Sequence, residues 1–234
     1  PDGSVVRHQP GWGVLRARPD GTDEVVLEEG EVRDLTGAEA VVVTGLAVQP
    51  DGAVIIGTRD GHLIAVEEDG GVAVLYDAFE DFGTAGLWTE EDGCFGGLPC
   101  ELPIGPISYE PVHGVLYFWI MTDIINGPDF MLDLIAVRPD GHLKRVADHW
   151  VFAKYMSLLG GIVPLDMEPD MAGGLWLLGS GNGQRVLLRL DGRTLMPVND
   201  MRMVQPMILQ QEGMIGWAAL SHARDLMVTP EGRL

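Results

Sequence analysis

Apolar positions along the chain fall in short runs, each closed by a glycine-containing turn, and the runs recur as groups. One group reads Val43-Thr-Gly-Leu-Ala-Val-Gln-Pro-Asp-Gly52, then Ala53-Val-Ile-Ile-Gly-Thr58, Arg59-Asp-Gly61, His62-Leu-Ile-Ala-Val-Glu-Glu-Asp-Gly70 and Gly71-Val-Ala-Val-Leu-Tyr76. Runs this short, separated by turn formers, predict a four-stranded antiparallel meander. The group returns with Pro106–Gly114, Val115–Trp119, Leu134–Gly141 and His142–Val146, and again with Pro164–Asp170, Gly174–Leu178, Arg185–Gly192 and Thr194–Met196. Its clearest beat is the turn between third and fourth strands: Arg18-Pro-Asp-Gly21, Glu68-Asp-Gly70, Arg138-Pro-Asp-Gly141, Leu190-Asp-Gly192 and Pro230-Glu-Gly232. Glycine accepts the positive φ of such turns.

Repeats of about 40 to 50 residues, each one four-stranded sheet, predict an all-β fold, a β-propeller of antiparallel blades. A sandwich would not place the same turn at the same point of every unit. Helical periodicity is nearly absent, with a short helix expected only over Trp150–Leu159. The expected organisation is one propeller domain over 1–234: a partial blade over 1–28, blades over about 44–77, 105–149 and 163–199, and a partial blade over 205–234. Either the partial blades join to close a ring of about five, or these are blades of a larger, six-bladed propeller.

Composition adds to this picture. The 234 residues are 46% apolar, enough for a sizeable core, and the 32 Gly and 15 Pro suit a turn-dense β protein. A net charge of −20, from 35 acidic and 15 basic residues, argues against nucleic acid and anionic membrane surfaces as partners. The acidic runs Glu28–Glu31 and Glu90–Asp92 are expected in solvated loops. No apolar run is long enough for a transmembrane helix. The chain begins at Pro1 with no initiator Met, basic n-region or apolar leader, as expected of a processed chain or a fragment. Cys94 and Cys100 either close a small ring or remain two thiols, and a bridge would place the protein in a secreted or periplasmic setting.

The order of motifs resembles the strictosidine synthase-like propellers, relatives of the paraoxonases, gluconolactonases and senescence marker lactonase. Gly45–Gly52 with Gly71–Leu75 is similar to that family's second blade. Gly114–Phe118, Thr122-Asp123, Phe130–Leu134 and Arg138–Gly141 are similar to its third. Val151–Ala153 with Gly181–Val186 stands for the fourth, and Met214–Leu220 for a strand of the fifth. The resemblance implies lactone or ester hydrolysis over a central channel that in many members holds calcium. Aligning the inner strands places Thr44, Gly105, Val163 and Gln205 at the channel mouth, with Pro106, Pro164 and Pro206 next. These supply too few oxygens for calcium. No metal or cofactor is therefore expected, although a shift in alignment would bring Asp166 near the mouth. The family's catalytic glutamate belongs to a last blade that is incomplete or absent here, so amine–aldehyde condensation is not expected.

The candidate catalytic groups are Asp166 and Asp123, and the candidate substrate contacts are Asn126, Lys154, His149, Gln205 and Met207. Asp166, on an inner strand, could serve as a general base if buried, or pair with an arginine such as Arg185. Asp123 and Asn126 share a loop in which Asn-Gly and Pro-Asp are also plain turn formers. Lys154 could replace a metal ion electrostatically or lie solvated on a connecting segment, and His149 is the one histidine near the proposed pocket face. His62, His113 and His142 fall at hairpin turns, where a solvent-exposed role is expected. Gln205 lies at the channel mouth, while Met207, with Met201, Met203 and Met214, reads equally as blade core. No Ser–His–Asp order, nucleophile elbow, phosphate loop or Cys/His metal cluster is present in the sequence. The expected partner is a small-molecule substrate of a hydrolase. The alternative is a non-catalytic propeller that binds a small molecule or a protein.

Overall fold

The structure, a computed structural model, describes residues 3–78, 103–122, 131–147, 163–169, 173–181 and 184–191. Backbone contacts divide the chain into two compact units, Pro1–Ile107 with Ile120–Asp129, and Ser108–Trp119 with Phe130–Leu234.

The first unit opens with β1 (Val5–Gln9), β2 (Gly13–Ala17) and β3 (Asp23–Glu28), followed by α1 (Glu29–Thr36). A four-stranded sheet follows in the order β4 (Val43–Val48), β5 (Val54–Thr58), β6 (His62–Val66) and β7 (Val72–Asp77). Within each of these two sheets every strand pairs antiparallel with the next along the chain. The middle strands β5 and β6 are buried on both faces, which is why they read as unbroken apolar runs. Val54, Ile56, Ile64 and Val66 of this sheet pack with Val14, Leu27 and Val32 into one cluster.

β8 (Ile104–Glu110) begins in the first unit and ends in the second. It forms a second four-stranded sheet with β9 (Val115–Thr122), β10 (Met131–Val137) and β11 (Leu143–Ala147), in the order β11-β10-β9-β8. The last described sheet is β12 (Val163–Pro169), β13 (Gly174–Gly181) and β14 (Gln184–Asp191), with a bulge in β12 between Pro164 and Asp166. In the second unit Val115–Trp119 are all buried, with Leu134–Ala136 beside them in sequence order and Leu175, Leu177 and Leu178 on β13. Sequential four-stranded antiparallel meanders of this kind are β-propeller blades.

The repeated Asp-Gly turn has one physical form. At each of three turns the glycine N–H donates to the carbonyl three residues back: Gly21 to Arg18, Gly70 to Glu67, and Gly141 to Arg138, at 2.9–3.0 Å. These glycines sit at φ of 86°, 87° and 78°, which a side chain would strain. The preceding aspartate accepts a bond from the N–H two residues on: Asp20 from Thr22, Asp69 from Gly71, and Asp140 from His142. Asp51, in the turn between β4 and β5, accepts likewise from Ala53. The sequence Asp-Gly thus supplies both the bond that closes the turn and the backbone freedom to make it.

The acidic run Glu28–Glu31 departs from the expected solvated loop: Glu28 caps α1, and Glu29–Thr36 is helical. The side chain of Glu31 accepts the Glu28 backbone N–H at 2.9 Å, closing a capping box. Glu29 reaches back to Gly11 and also pairs with Arg33, so these carboxylates organise the chain rather than only solvating it. Trp150–Leu159 lies outside the described residues.

Candidate functional site

Alternation along β12 places Asp166 and Glu168 on one face of the strand, with Met167, 2% exposed, on the other. Across the sheet, Asp166 stands opposite Leu178 and Glu168 opposite Trp176. Both carboxyl-bearing residues are half-buried, and Asp166 Oδ1 accepts the Met167 N–H at 2.9 Å. Burial, reinforced by the charge of Asp166, pushes the Glu168 carboxyl up to about 7. The pair therefore offers a carboxylic acid that keeps its proton near neutrality beside a second carboxyl. Two such groups, separated by environment rather than type, can divide the roles of acid and base. In the backbone register Leu187 continues the Asp166–Leu178 row, and Arg185 stands opposite Ser180.

Two further clusters surround histidines expected at exposed turns. His62 is not solvated. Its ring lies between Asp60, with Nδ1 3.1 Å from Oδ2, and Asp77, with Nε2 3.5 Å from Oδ2, and its side chain is 13% exposed. The Thr58 hydroxyl accepts the His62 backbone N–H. The hydrogen bond with Asp60 raises the imidazole, burial opposes it, and the charges of Asp60 and Asp77 raise it further. Burial raises Asp60, but its hydrogen bonds to His62 and Thr58 bring it below the usual carboxylate value.

The sign for stability follows from these directions. Protonated His62 stabilises the fold below its unfolded value, and that contribution is lost as pH rises through the raised folded one. Depressed Asp60 contributes above its unfolded value and loses this as pH falls. The urea midpoint should therefore fall as pH rises above about 6.5, and His62→Gln should reduce that fall to the part that Glu168 contributes up to about pH 7. An unchanged slope in the variant would refute this account of the pair.

The second cluster is Glu110, fully buried at the end of β8. Its carboxylate accepts three bonds, from the Val112 and His113 backbone N–H groups and from His113 Nδ1 at 2.8 Å. In the turn Glu110–Gly114, His113 precedes the positive-φ glycine where Asp51 does in the β4–β5 turn, and Glu110 accepts the turn's N–H groups in place of an aspartate. His113 also packs against Gly173.

Of the residues singled out in the sequence, Asp166 is placed as described. Asp123, Asn126, Lys154, His149, Gln205 and Met207 lie outside the described residues, as do Cys94 and Cys100. At the aligned channel positions, the Thr44 hydroxyl donates to the Ile104 carbonyl, so it is already engaged. Among the described residues no group of three or more His, Cys, Asp or Glu is arranged to hold a metal ion. No helix among them is long and apolar enough to cross a membrane. Glu168, Glu110 and the carboxylates around His62 are what the reading by residue type missed. The Asp-x-Glu alternation of β12 was the one signal that could have pointed to Glu168.

The class defined by these sheets is the β-propeller. Solved structures similar to the chain include the extracellular domain of a one-component system from B. thetaiotaomicron (15% identity, TM-score 0.45, covering 83% of this chain and 20% of that one). Another is YCF48 bound to D1 peptide (15%, TM-score 0.44, 87% and 53%), and a third is puromycin hydrolase (15%, TM-score 0.35, 84% and 36%). The chain thus spans about a fifth to about half of the length of these structures. No family model matches the chain, and no curated protein matches it.

Proposed function

We propose that the chain is part of a strictosidine synthase-like propeller that hydrolyses a lactone or ester of a small apolar molecule, with the carboxyl pair of β12 as its acid–base machinery. The observation that carries this reading is the same-face placement of Asp166 and Glu168, one of which stays protonated up to about pH 7. In this mechanism Asp166, as carboxylate, takes a proton from water while the water oxygen bonds to the substrate carbonyl carbon. Glu168, as carboxylic acid, gives its proton to the departing alkoxide as the carbon–oxygen bond breaks. Solvent then returns a proton to Glu168 and removes one from Asp166, restoring both groups. The apolar rows beside the pair, with Leu178 and Trp176, suit an apolar substrate body.

The test is kcat/KM against pH for a panel of γ-lactones and aryl acetates. Activity should decline above about pH 7 as Glu168 ionises. Glu168→Gln should abolish that limb, and Asp166→Asn should lower activity across the whole range. The reading fails if the protein hydrolyses none of these substrates, or if Glu168→Gln keeps the original profile.

A further inference from the structure

The last strands of the described sheets, in chain order, differ in one respect. β3 carries Asp23, Glu24 and Glu28, β11 carries Lys144 and Arg145, and β14 carries Arg185, Arg189 and Asp191. Charges on an outer strand discourage a foreign strand from pairing with it. β7 has none between Val72 and Tyr76: it reads Val-Ala-Val-Leu-Tyr, with Asp77 last. It stands at the end of the order β4-β5-β6-β7, and among the described residues no strand pairs with its outer edge. Val72, Val74 and Leu75 are each 38% exposed, and Ala73 is exposed as well. The ladder to β6 is regular from Val72 to Val74 and slips at Leu75.

The surrounding charge distinguishes between occupants. The turn entering β7 exposes Glu67, Glu68 and Asp69, and the strand ends on Asp77. A second copy pairing antiparallel through β7 would bring the acidic turn of one molecule beside Asp77 of the other. A parallel pairing would set the two acidic turns together. Both place like charges in opposition, which is destabilising in a sheet. A strand with basic ends meets the opposite situation at the same positions, and the overall charge of −20 favours its approach.

We propose that β7 is a docking edge for an extended segment of a protein partner, apolar at alternate positions and basic at its ends, which adds a strand to the β4–β7 sheet. Backbone bonds supply affinity in this mode, and side chains and end charges supply selectivity. The edge is independent of the β12 carboxyl pair, so its test reads binding and not turnover.

The experiment measures fluorescence anisotropy of a fluorescein-labelled peptide of alternating valine and threonine with lysines at both ends, titrated with the full chain. Saturable binding that weakens with added salt is expected, with no binding of the same peptide ended by glutamates. Val74→Lys changes an exposed side chain, so its circular dichroism should match the wild type, and it should weaken binding about tenfold or more by opposing the lysines. Val74→Pro should abolish binding by removing a backbone donor and fixing φ, with its near-native circular dichroism as the control. Absence of binding to the wild type, equal binding of the glutamate-ended peptide, or undiminished binding by Val74→Lys would each overturn the proposal. So would concentration-dependent self-association of the wild type that Val74→Lys abolishes, because the occupant would then be a second copy.

Discussion

Glu110→Ala should lower the free energy of unfolding by about 3 kcal/mol, to be read as a shift of the urea midpoint with an unchanged slope. The side chain is fully buried, and its carboxylate is the common acceptor for the Val112 and His113 N–H groups and for His113 Nδ1. Removing it leaves two backbone donors in the β8–β9 turn without their acceptor. It also leaves a cavity where the carboxylate stood. Bonds to a charged acceptor contribute about 1.5–3 kcal/mol each, but they share one group and do not add in full. Glu110→Gln should recover part of the loss, because an amide oxygen at the Oε2 position still accepts from the His113 N–H and from Nδ1 while the NH2 group faces the Val112 N–H. A Glu110→Ala variant within about 0.5 kcal/mol of the wild type would show that water replaces the carboxylate in this turn.

The second large effect is expected at Gly57. In an ordinary strand position, Gly→Ala gains about 0.5–1 kcal/mol by restricting the unfolded chain. Gly57 stands opposite Gly45 in the β4–β5 ladder, and the start of β8 lies against both. A methyl group at Gly57 would overlap the Ile104 carbonyl oxygen and come within 2.7 Å of Ile107 Cδ1. At Gly45 it would come within 2.7 Å of Ile107 Cγ1. The backbone oxygen cannot turn aside as a side chain can, so Gly57→Ala should reverse sign and cost about 2–3 kcal/mol. Ile107→Ala would relieve the side-chain contact but not the carbonyl. In a double-mutant cycle it should therefore rescue only part of the Gly57→Ala loss. A stabilised Gly57→Ala protein would show that β8 can move away from this sheet at little cost.

The sheets were legible because their strands and turns are local objects. The runs Val54–Ile56 and Leu63–Val66 are apolar throughout since both faces are buried, and Asp-Gly marks the turns at Gly21, Gly52, Gly70 and Gly141 because the aspartate and glycine close them within a few residues. Helix α1 was not legible for the opposite reason. It contains Gly30 and a single buried side chain, Val32, so it has no apolar stripe of helical period. Its capping box and the anchoring of Val32 in the β5–β6 cluster stabilise it instead.

The candidate sites were legible only in part, and the missing part is spatial. Asp166 could be chosen from the β12 sequence, but the upward shift of Glu168 depends on burial, which residue types do not encode. His62 looked like a turn residue because Asp60 is its only close acidic neighbour along the chain. Asp77, the other carboxylate at its ring, arrives from the far end of β7. Glu110 was hidden similarly: a turn without aspartate looks unclosed until a glutamate at the end of the preceding strand is seen to accept its N–H groups.

The self-contained Asp-Gly turns also bear on how the chain reaches its fold. Each turn closes through bonds among residues at most a few positions apart, so its hairpin can form early without waiting for distant segments. Hairpins with the same closing bonds should form on similar timescales, and the turns then impose no order on the blades. Any sequence of events must come from steps that bring separate hairpins together. The seating of β8 over Gly45 and Gly57 is one such step, so slow phases in refolding should respond to substitutions there and not to changes within the turns.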